Sequence, residues 1–125
     1  MRISELCQRG GTSKALVRHY ESLGLLHSTS QAAGSRHYRD FPEESLRRLE
    51  LIAAGKEIGL TLKQIQPLLD AFLTRDMTRE EALAVLDQQL RQIEQVLISA
   101  ARTKALIEHR IEEVKAKPTS QCFKA

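Results

Sequence analysis

The sequence predicts a mainly α-helical fold in which a compact N-terminal unit precedes one long C-terminal helix. Three observations predict it. Aromatic residues make up only 4% of the 125 residues and tryptophan is absent, a composition that favours helices over sheets. Two short segments with apolar faces meet at a pair of glycines, and apolar residues recur in heptads from residue 83 to 114. We therefore expect a first unit at residues 1–75, a long helix at 76–117 and a tail at 118–125.

The first two elements are short helices separated by a tight turn. Residues 3–8 form the first helix, and Gly10 and Gly11 stop it because glycine permits the backbone conformations of a turn. Thr12 or Ser13 can cap the second helix, which ends at Gly24. Its apolar side consists of Leu16, Val17, Tyr20 and Leu23. This arrangement is typical of a helix-turn-helix, whose second helix enters the major groove of DNA.

A hairpin, or wing, is expected next, because residues 27–39 are polar and small, contain a glycine and lack helical periodicity. The third helix opens at residues 41–44, since Pro42 suits the first helical position and acidic side chains suit a helix start. Its expected buried stripe is Leu46, Leu49, Ile52 and Ala53.

A fourth helix is predicted to begin near Thr61, after Gly59. Its apolar face consists of Leu62, Ile65, Leu68, Leu69 and Phe72. Pro67 removes one backbone donor inside this helix, so we expect a kink or an early end there.

The long C-terminal helix has the clearest pattern in the chain. Residues 78–81 form a capping box, and Pro118 ends the helix. Between them, core positions recur at alternating steps of three and four, and all but Lys104 are apolar. They are Leu83, Leu86, Leu90, Ile93, Leu97, Ala100, Lys104, Ile107, Ile111 and Val114. This coiled-coil pattern needs a partner helix, from a second copy or from another protein. A symmetric homodimer is the commonest solution, so we expect a homodimer. Lys104 is expected to extend outward or to pair with Glu94 or Asp87 of the second copy.

The positive charge is concentrated at the N-terminal end. Residues 1–69 contain ten Lys or Arg against seven Asp or Glu, an excess of three that accounts for the whole net charge of +3. Within residues 1–39 the count is six against two. A polyanion is therefore the expected partner of the helix-turn-helix and the wing.

The two cysteines do not predict a disulfide framework or a closed metal site. Cys7 lies among apolar residues and is expected to pack as a small hydrophobic side chain, whereas Cys122 lies in the tail and is a candidate thiol sensor.

No cofactor or metal is expected. No apolar run is long enough to span a membrane, so we expect a cytoplasmic location. No motif of catalytic residues indicates an enzyme.

Several strings resemble, in order, motifs of the MerR family of bacterial transcription regulators. They are MRISEL at residues 1–6, RHYE at 18–21, GLL at 24–26, GSRHY at 34–38 and IGLTLKQI at 58–65. The resemblance implies a winged helix-turn-helix domain joined to an antiparallel coiled coil in a two-fold dimer. It also implies that the dimer binds a palindromic promoter site and bends and untwists the DNA so that RNA polymerase can engage the promoter.

The resemblance makes the second helix the recognition helix. Arg18 and Tyr20 are expected to contact DNA, chiefly its phosphates, with a core aromatic as the alternative for Tyr20. Lys14 and Ala15 lie at the helix start, where such helices approach base edges, and His19 is a further candidate.

The wing and the fourth helix supply the remaining expected contacts. By the resemblance, Arg36 and Tyr38 belong to the wing's DNA-contacting string, and a guanidinium suits phosphate oxygens. Thr61 and Lys63, at the start of the fourth helix, are expected to approach the DNA backbone, although capping alone would also explain Thr61. Secondary candidates are Arg2, His37 and Arg39.

The signal that the protein senses is left open by the sequence. Residues 74–82 lack cysteine and histidine, unlike the corresponding region of metal-sensing relatives. A thiol-reactive signal, a small molecule or no effector remain as alternatives.

Two functions are alternatives to promoter regulation: an excisionase-like DNA-bending accessory protein and a coiled-coil adaptor that binds an acidic protein. The long apolar seam disfavours the first, and salt-sensitive DNA binding would exclude the second.

Overall fold

The computed structural model describes residues 1–75 and 77–118, apart from the side chain of Arg75. The chain forms two compact units, Met1–Ala82 and a second that begins at Leu83. The elements are α1 (Ile3–Gly10), α2 (Lys14–Ser22), β1 (Thr29–Ala33), β2 (Arg36–Asp40), α3 (Glu44–Glu57), α4 (Leu62–Arg75) and α5 (Arg79–Lys115). The predicted mainly α-helical fold with a small wing and a long C-terminal helix is confirmed.

The turn between α1 and α2 follows from its glycines and its cap. Gly11 adopts the left-handed conformation, with φ of 64°, and ends α1. The Ser13 Oγ accepts a hydrogen bond of 3.1 Å from the backbone N–H of Leu16, so Ser13, and not Thr12, caps α2. At Gly10 an added Cβ would lie 2.7 Å from Cδ1 of Leu49. Glycine there therefore allows α1 to pack closely on α3.

The wing is a two-stranded antiparallel hairpin in which Thr29 pairs with Asp40 and Ala33 pairs with Arg36. All five side chains of β1 are exposed. The start of the chain lies beside the end of β2: the backbone N–H of Phe41 donates to the carbonyl oxygen of Met1 at 2.7 Å, and the Met1 amine donates to Asp40 Oδ1 at 2.9 Å. These contacts attach the wing to the rest of the first unit.

Helix α3 begins later than predicted, and of its predicted buried stripe Leu49 and Ile52 are buried and Leu46 packs partly buried against the core. Its first residue is Glu44, so Pro42 lies before the helix and not at its first position. Ala53 is exposed, which makes its predicted place in the buried stripe wrong. The helix is turned so that Ser45 and Arg48 are buried beside Leu49 and Ile52.

Helix α4 continues through Pro67 to Arg75, so the early end is wrong, and the alternative of a kink stays a prediction. Pro67 is exposed, whereas Ile65 and Leu69 on either side of it are each only 2% exposed. Burial of these two side chains offsets the one backbone hydrogen bond that the proline removes.

The core of the first unit joins all four of its short helices. Its buried members are Leu6, Val17, Tyr20, Leu25, Leu26, Phe41, Leu49, Ile52, Ile65 and Leu69. Because α2 contributes Val17 and Tyr20, and the residues directly after it contribute Leu25 and Leu26, the position of α2 is set by this core.

Helix α5 has 37 residues and is therefore roughly 55 Å long. The predicted capping box is present, since the Glu81 N–H donates to Thr78 Oγ1 at 3.1 Å. The large apolar side chains of the predicted seam remain between 43% and 64% exposed. They are Leu83, Leu86, Leu90, Ile93, Leu97, Ile107, Ile111 and Val114. Lys104 is exposed, and its Nζ lies 3.9 Å from Oε1 of Glu108 on the same helix.

Candidate nucleic-acid interface

One side of α2 is exposed and basic. Lys14, Ala15, Arg18 and His19 are all exposed, at spacings of one, three and four residues that place them on one side of a helix. The helix has no acidic residue in its first turn. The structure thus brings four of the five residues predicted for the recognition helix onto a single accessible surface, which we call the α2 face.

Tyr20 is on the opposite side of α2. It is only 4% exposed and belongs to the core. The structure therefore favours the alternative interpretation of Tyr20 as a core aromatic over a phosphate contact, because its ring is enclosed by the first unit. We leave it out of the α2 face.

The chain leaves α2 through a constrained turn. Gly24 has φ of 79°, and an added Cβ there would lie 2.9 Å from Nε2 of Gln66. The next residue, Leu25, donates its N–H to the Tyr20 carbonyl at 2.9 Å. Ser28 donates to the Glu21 carboxylate, which connects α2 to the segment that enters the wing. The end of α2 and the start of the wing are therefore linked by side-chain and backbone contacts.

The wing exposes Arg36, and the guanidinium of Arg2 stacks on the wing residue Tyr38. Arg36 is exposed and follows the turn at Gly34 and Ser35. Tyr38 is half-buried, and the guanidinium carbon of Arg2 lies 4.0 Å from the centre of its ring. This is a cation–π contact, which holds Arg2 against the wing. Arg2 and Tyr38 were both candidates for DNA contact, but no sequence pattern predicts their contact with each other.

Thr61 directly precedes α4 and Lys63 lies in its first turn, and both are exposed. The Gln64 N–H donates to Thr61 Oγ1 at 3.2 Å, and the Thr61 N–H donates to Gln64 Oε1 at 2.9 Å. Thr61 is thus the cap of this helix, in the reciprocal arrangement of a capping box. Its expected approach to phosphate, like that of Lys63, stays a prediction.

Arg48 is a buried arginine that sequence reasoning did not single out. It is 8% exposed, and its Nε donates to Glu44 Oε1 at 2.9 Å. The signal available in the sequence was the spacing of four residues between Glu44 and Arg48, which places the pair on one side of α3. Its Nη1 and Nη2 contact two further segments of the first unit, at Leu25 and at Asp70 of α4.

An exposed ion pair connects α1 to the start of α3. Arg9 donates to Glu43 through Nη1 at 2.9 Å and Nη2 at 3.0 Å. The hydrogen bond from Arg9 lowers the pKa of Glu43 below its ordinary value, and the bond to Glu43 raises the pKa of Arg9. Because the pKa of Glu43 is lower in the folded state, the pair stabilises the fold above the ordinary glutamate pKa. That stabilisation is lost as the pH falls through the lowered value.

The structure describes one of the two cysteines, Cys7. Cys7 is half-buried and packs against the core, as predicted. Cys122 lies outside the described residues, so its predicted thiol chemistry stays a prediction.

Across residues 1–75 and 77–118, no group of three or more His, Cys, Asp or Glu side chains could hold a metal ion. Over the same residues, no helix combines the length and hydropathy that crossing a bilayer requires.

A helix-turn-helix with an exposed basic face, flanked by a hairpin with an exposed arginine, defines a DNA-binding transcriptional regulator. Comparison with known proteins gives the same class. Residues 1–71 match the model of the MerR HTH family regulatory proteins, and residues 46–98 match the model described as MerR, DNA binding. The chain belongs to the MerR family.

Individual relatives span most of the chain. The mercuric resistance operon regulatory protein of Bacillus cereus is 33% identical, over 78% of this chain and 80% of that protein. The transcription regulator PbrR691 from Ralstonia metallidurans CH34, solved in complex with lead(II), is 27% identical and covers 98% of this chain and 91% of its own, with a TM-score of 0.70. The fold is also similar to that of HiNmlR, a MerR family regulator solved bound to promoter DNA, with 23% identity, 90% and 83% coverage and a TM-score of 0.53.

Proposed function

We propose that this regulator binds a palindromic promoter site as a homodimer and controls transcription by bending and untwisting the DNA between the contacts of RNA polymerase. The observation that carries the proposal is the α2 face, on which Lys14, Arg18 and His19 are exposed together. Basic side chains on the exposed side of a recognition helix can reach both phosphates and base edges in the major groove. Its place of action would be the cytoplasm, where promoter DNA is found.

The homodimer is supported by the exposed seam of α5. An exposed apolar stripe of this length is rare on a monomeric surface, and a heptad spacing suits burial against a second long helix. A second copy of the chain offers the same stripe, so two-fold pairing would cover both. Two recognition helices related by a two-fold axis would in turn require a palindromic site.

DNA distortion is the proposed mode of action because the family resemblance implies it and because its energetic scale is suitable. Bending a site of 20–30 base pairs costs on the order of 1–6 kcal/mol, which contacts from the α2 face and Arg36 can offset. The signal that controls this step is proposed to be a thiol-reactive compound at Cys122, a small molecule, or none.

The test begins with a footprint on the DNA upstream of the protein's own gene. The protected duplex is then titrated with protein at several salt concentrations, and the affinity is measured by fluorescence anisotropy. Arg18→Ala and Arg36→Ala are each expected to weaken binding roughly tenfold and to reduce the slope of log K against log salt by about 1, because each removes a phosphate contact. Arg102→Ala removes the same charge from an exposed position on α5 and is the control.

Distortion is measured on the same duplex with a fluorophore at each end. Shortening of the end-to-end distance on binding, detected by energy transfer, supports bending. Unchanged affinity and salt slope in both arginine variants would remove the α2 face and the wing from the DNA interface. Binding without any change in energy transfer would refute the proposed mode of action but not the DNA interface.

A further inference from the structure

Arg48 is the one described arginine whose side chain is both buried and bonded to segments outside its own helix. Its side chain is only 9% exposed, so it is not available to a phosphate group. Burying a guanidinium is costly unless its donors are satisfied. What those donors bind therefore indicates what the residue does.

The three nitrogens of Arg48 bind three different segments. Nε donates to Glu44 within α3 at 2.9 Å, and Nη1 donates to the backbone carbonyl of Leu25 at 3.2 Å in a buried hydrogen bond. Nη2 lies 3.6 Å from Oδ1 of Asp70 on α4. Because the guanidinium is planar and rigid, these contacts fix the three segments relative to one another.

The contact at Leu25 leads directly back to α2. The N–H of Leu25 donates to the carbonyl of Tyr20 at 2.9 Å, and Tyr20 lies in the last turn of α2. The same peptide segment thus binds α2 through its N–H and Arg48 through its carbonyl. Of the α2 face, His19 lies in this last turn and Arg18 directly precedes it. The orientation of the Arg18 and His19 side chains therefore depends on the position of the segment at Leu25.

We propose that Arg48 is a positioning residue for DNA recognition, which fixes the end of α2 against α3 and α4 and so sets the orientation of the α2 face. The proposal rests on the proposed DNA-binding function of that face. A purely stabilising role is a weaker explanation, because both carboxylate partners of Arg48 are more than half exposed and stay solvated without it. What an apolar side chain of the same length lacks is the directional hydrogen bond to Leu25.

The experiment compares Arg48→Met with Arg47→Met in the full-length chain. Arg47 is the adjacent residue on α3, is about half exposed, pairs with Glu50 at 3.1 Å and lies 5.4 Å from the ring centre of Phe72 on α4. Its variant therefore loses the same charge and a contact between α3 and α4, but no bond to the segment at Leu25. Three quantities are measured for each protein: affinity for the footprinted site, affinity for a random duplex of equal length, and the salt slope of both. Thermal unfolding is followed by circular dichroism.

Arg48→Met is expected to lower the ratio of specific to random affinity roughly tenfold, because base-edge contacts need accurate geometry. Its salt slope and its affinity for random duplex are expected to stay as in the unaltered protein, because the phosphate-binding charges are retained. Arg47→Met is expected to leave the ratio unchanged. A purely structural role would instead lower the Tm and reduce both affinities together.

Asp70→Asn keeps the proposal testable if Arg48→Met fails to fold. It removes the negative charge that faces Arg48 Nη2 from α4, on a side chain that is itself 61% exposed, and is expected to lower the specific-to-random ratio by a smaller factor, about threefold. An unchanged ratio in a folded Arg48→Met, or in Asp70→Asn where the first variant is unfolded, overturns the positioning role. If the unaltered protein itself binds both duplexes equally, the proposed function fails, and this inference fails with it.

Discussion

Replacing Ile93 and Leu97 together with aspartate should dissociate the proposed homodimer. Both residues lie in the seam of α5, one step of four residues apart, and they are 43% and 64% exposed in the single chain. In the proposed dimer their exposed surface is covered by the second copy. The double variant removes that apolar surface and places a charge at each position.

The expected loss can be estimated from the exposed fractions. Burying a leucine or isoleucine completely is worth about 2 kcal/mol, so the part that each side chain still exposes is worth about 1 kcal/mol. A two-fold dimer contains four such side chains, which gives about 4 kcal/mol, or nearly a thousandfold in the dissociation constant. The cost of burying the aspartate charges adds to this value.

The assay is sedimentation equilibrium or light scattering at micromolar concentration. The unaltered chain should have twice the mass of 14.1 kDa, and the double variant should have the single mass. The control is Ile98→Asp with Leu106→Asp, because these side chains are 46% and 62% exposed on the same helix but lie outside the heptad seam. The two pairs thus remove nearly equal exposed apolar surface.

Two results would refute the reasoning. If the seam variant remains a dimer, the heptad stripe is not the interface. If the control variant dissociates equally, exposed apolar surface in general, and not the heptad register, holds the copies together.

Three further predictions concern the first unit. Ser13→Ala removes the cap of α2 and should cost about 1 kcal/mol in urea unfolding, whereas Ser13→Asp, which retains an acceptor, should not. Gly55→Ala places a Cβ 2.8 Å from Ile65, so overpacking should outweigh the helix propensity of alanine and lower stability by about 1 kcal/mol; an unchanged Tm would contradict this close contact of α3 with α4. Arg9→Met should make stability fall less steeply as the pH drops below the ordinary value of 4.5 for glutamate, because Glu43 no longer has a lowered pKa. An unaltered acid-unfolding curve would show that the exposed pair contributes nothing measurable.

Much of the fold could be predicted because local signals and tertiary structure agree. The cap of α2 at Ser13, one of the two residues predicted for it, the turn at Gly10 and Gly11, and the cap of α5 at Thr78 each act over a few residues, and each is present. The exposed side of α2 was also predictable, since a helix that buries Val17 must expose the residues on its other side.

The errors arose where packing overrides a local preference. Pro67 disfavours a helix locally, but burial of Ile65 and Leu69 keeps α4 continuous. Ala53 is apolar but exposed, because the rotation of α3 about its axis is set by the whole core. That same rotation buries Arg48, whose partners at Leu25 and Asp70 are distant in sequence. No periodicity in one chain segment indicates such a contact.

The exposed β1 strand has a consequence for hydrogen exchange. A two-stranded hairpin with no core of its own is marginally stable in water, and here its attachment depends on Met1, Arg2, Tyr38 and Asp40. Its amide hydrogens should therefore exchange with solvent deuterium much faster than those of α2 and α3, whose opening requires disruption of the core. Protection of the hairpin amides should increase sharply when a duplex covers Arg36. The wing would then report DNA contact residue by residue, without any attached label.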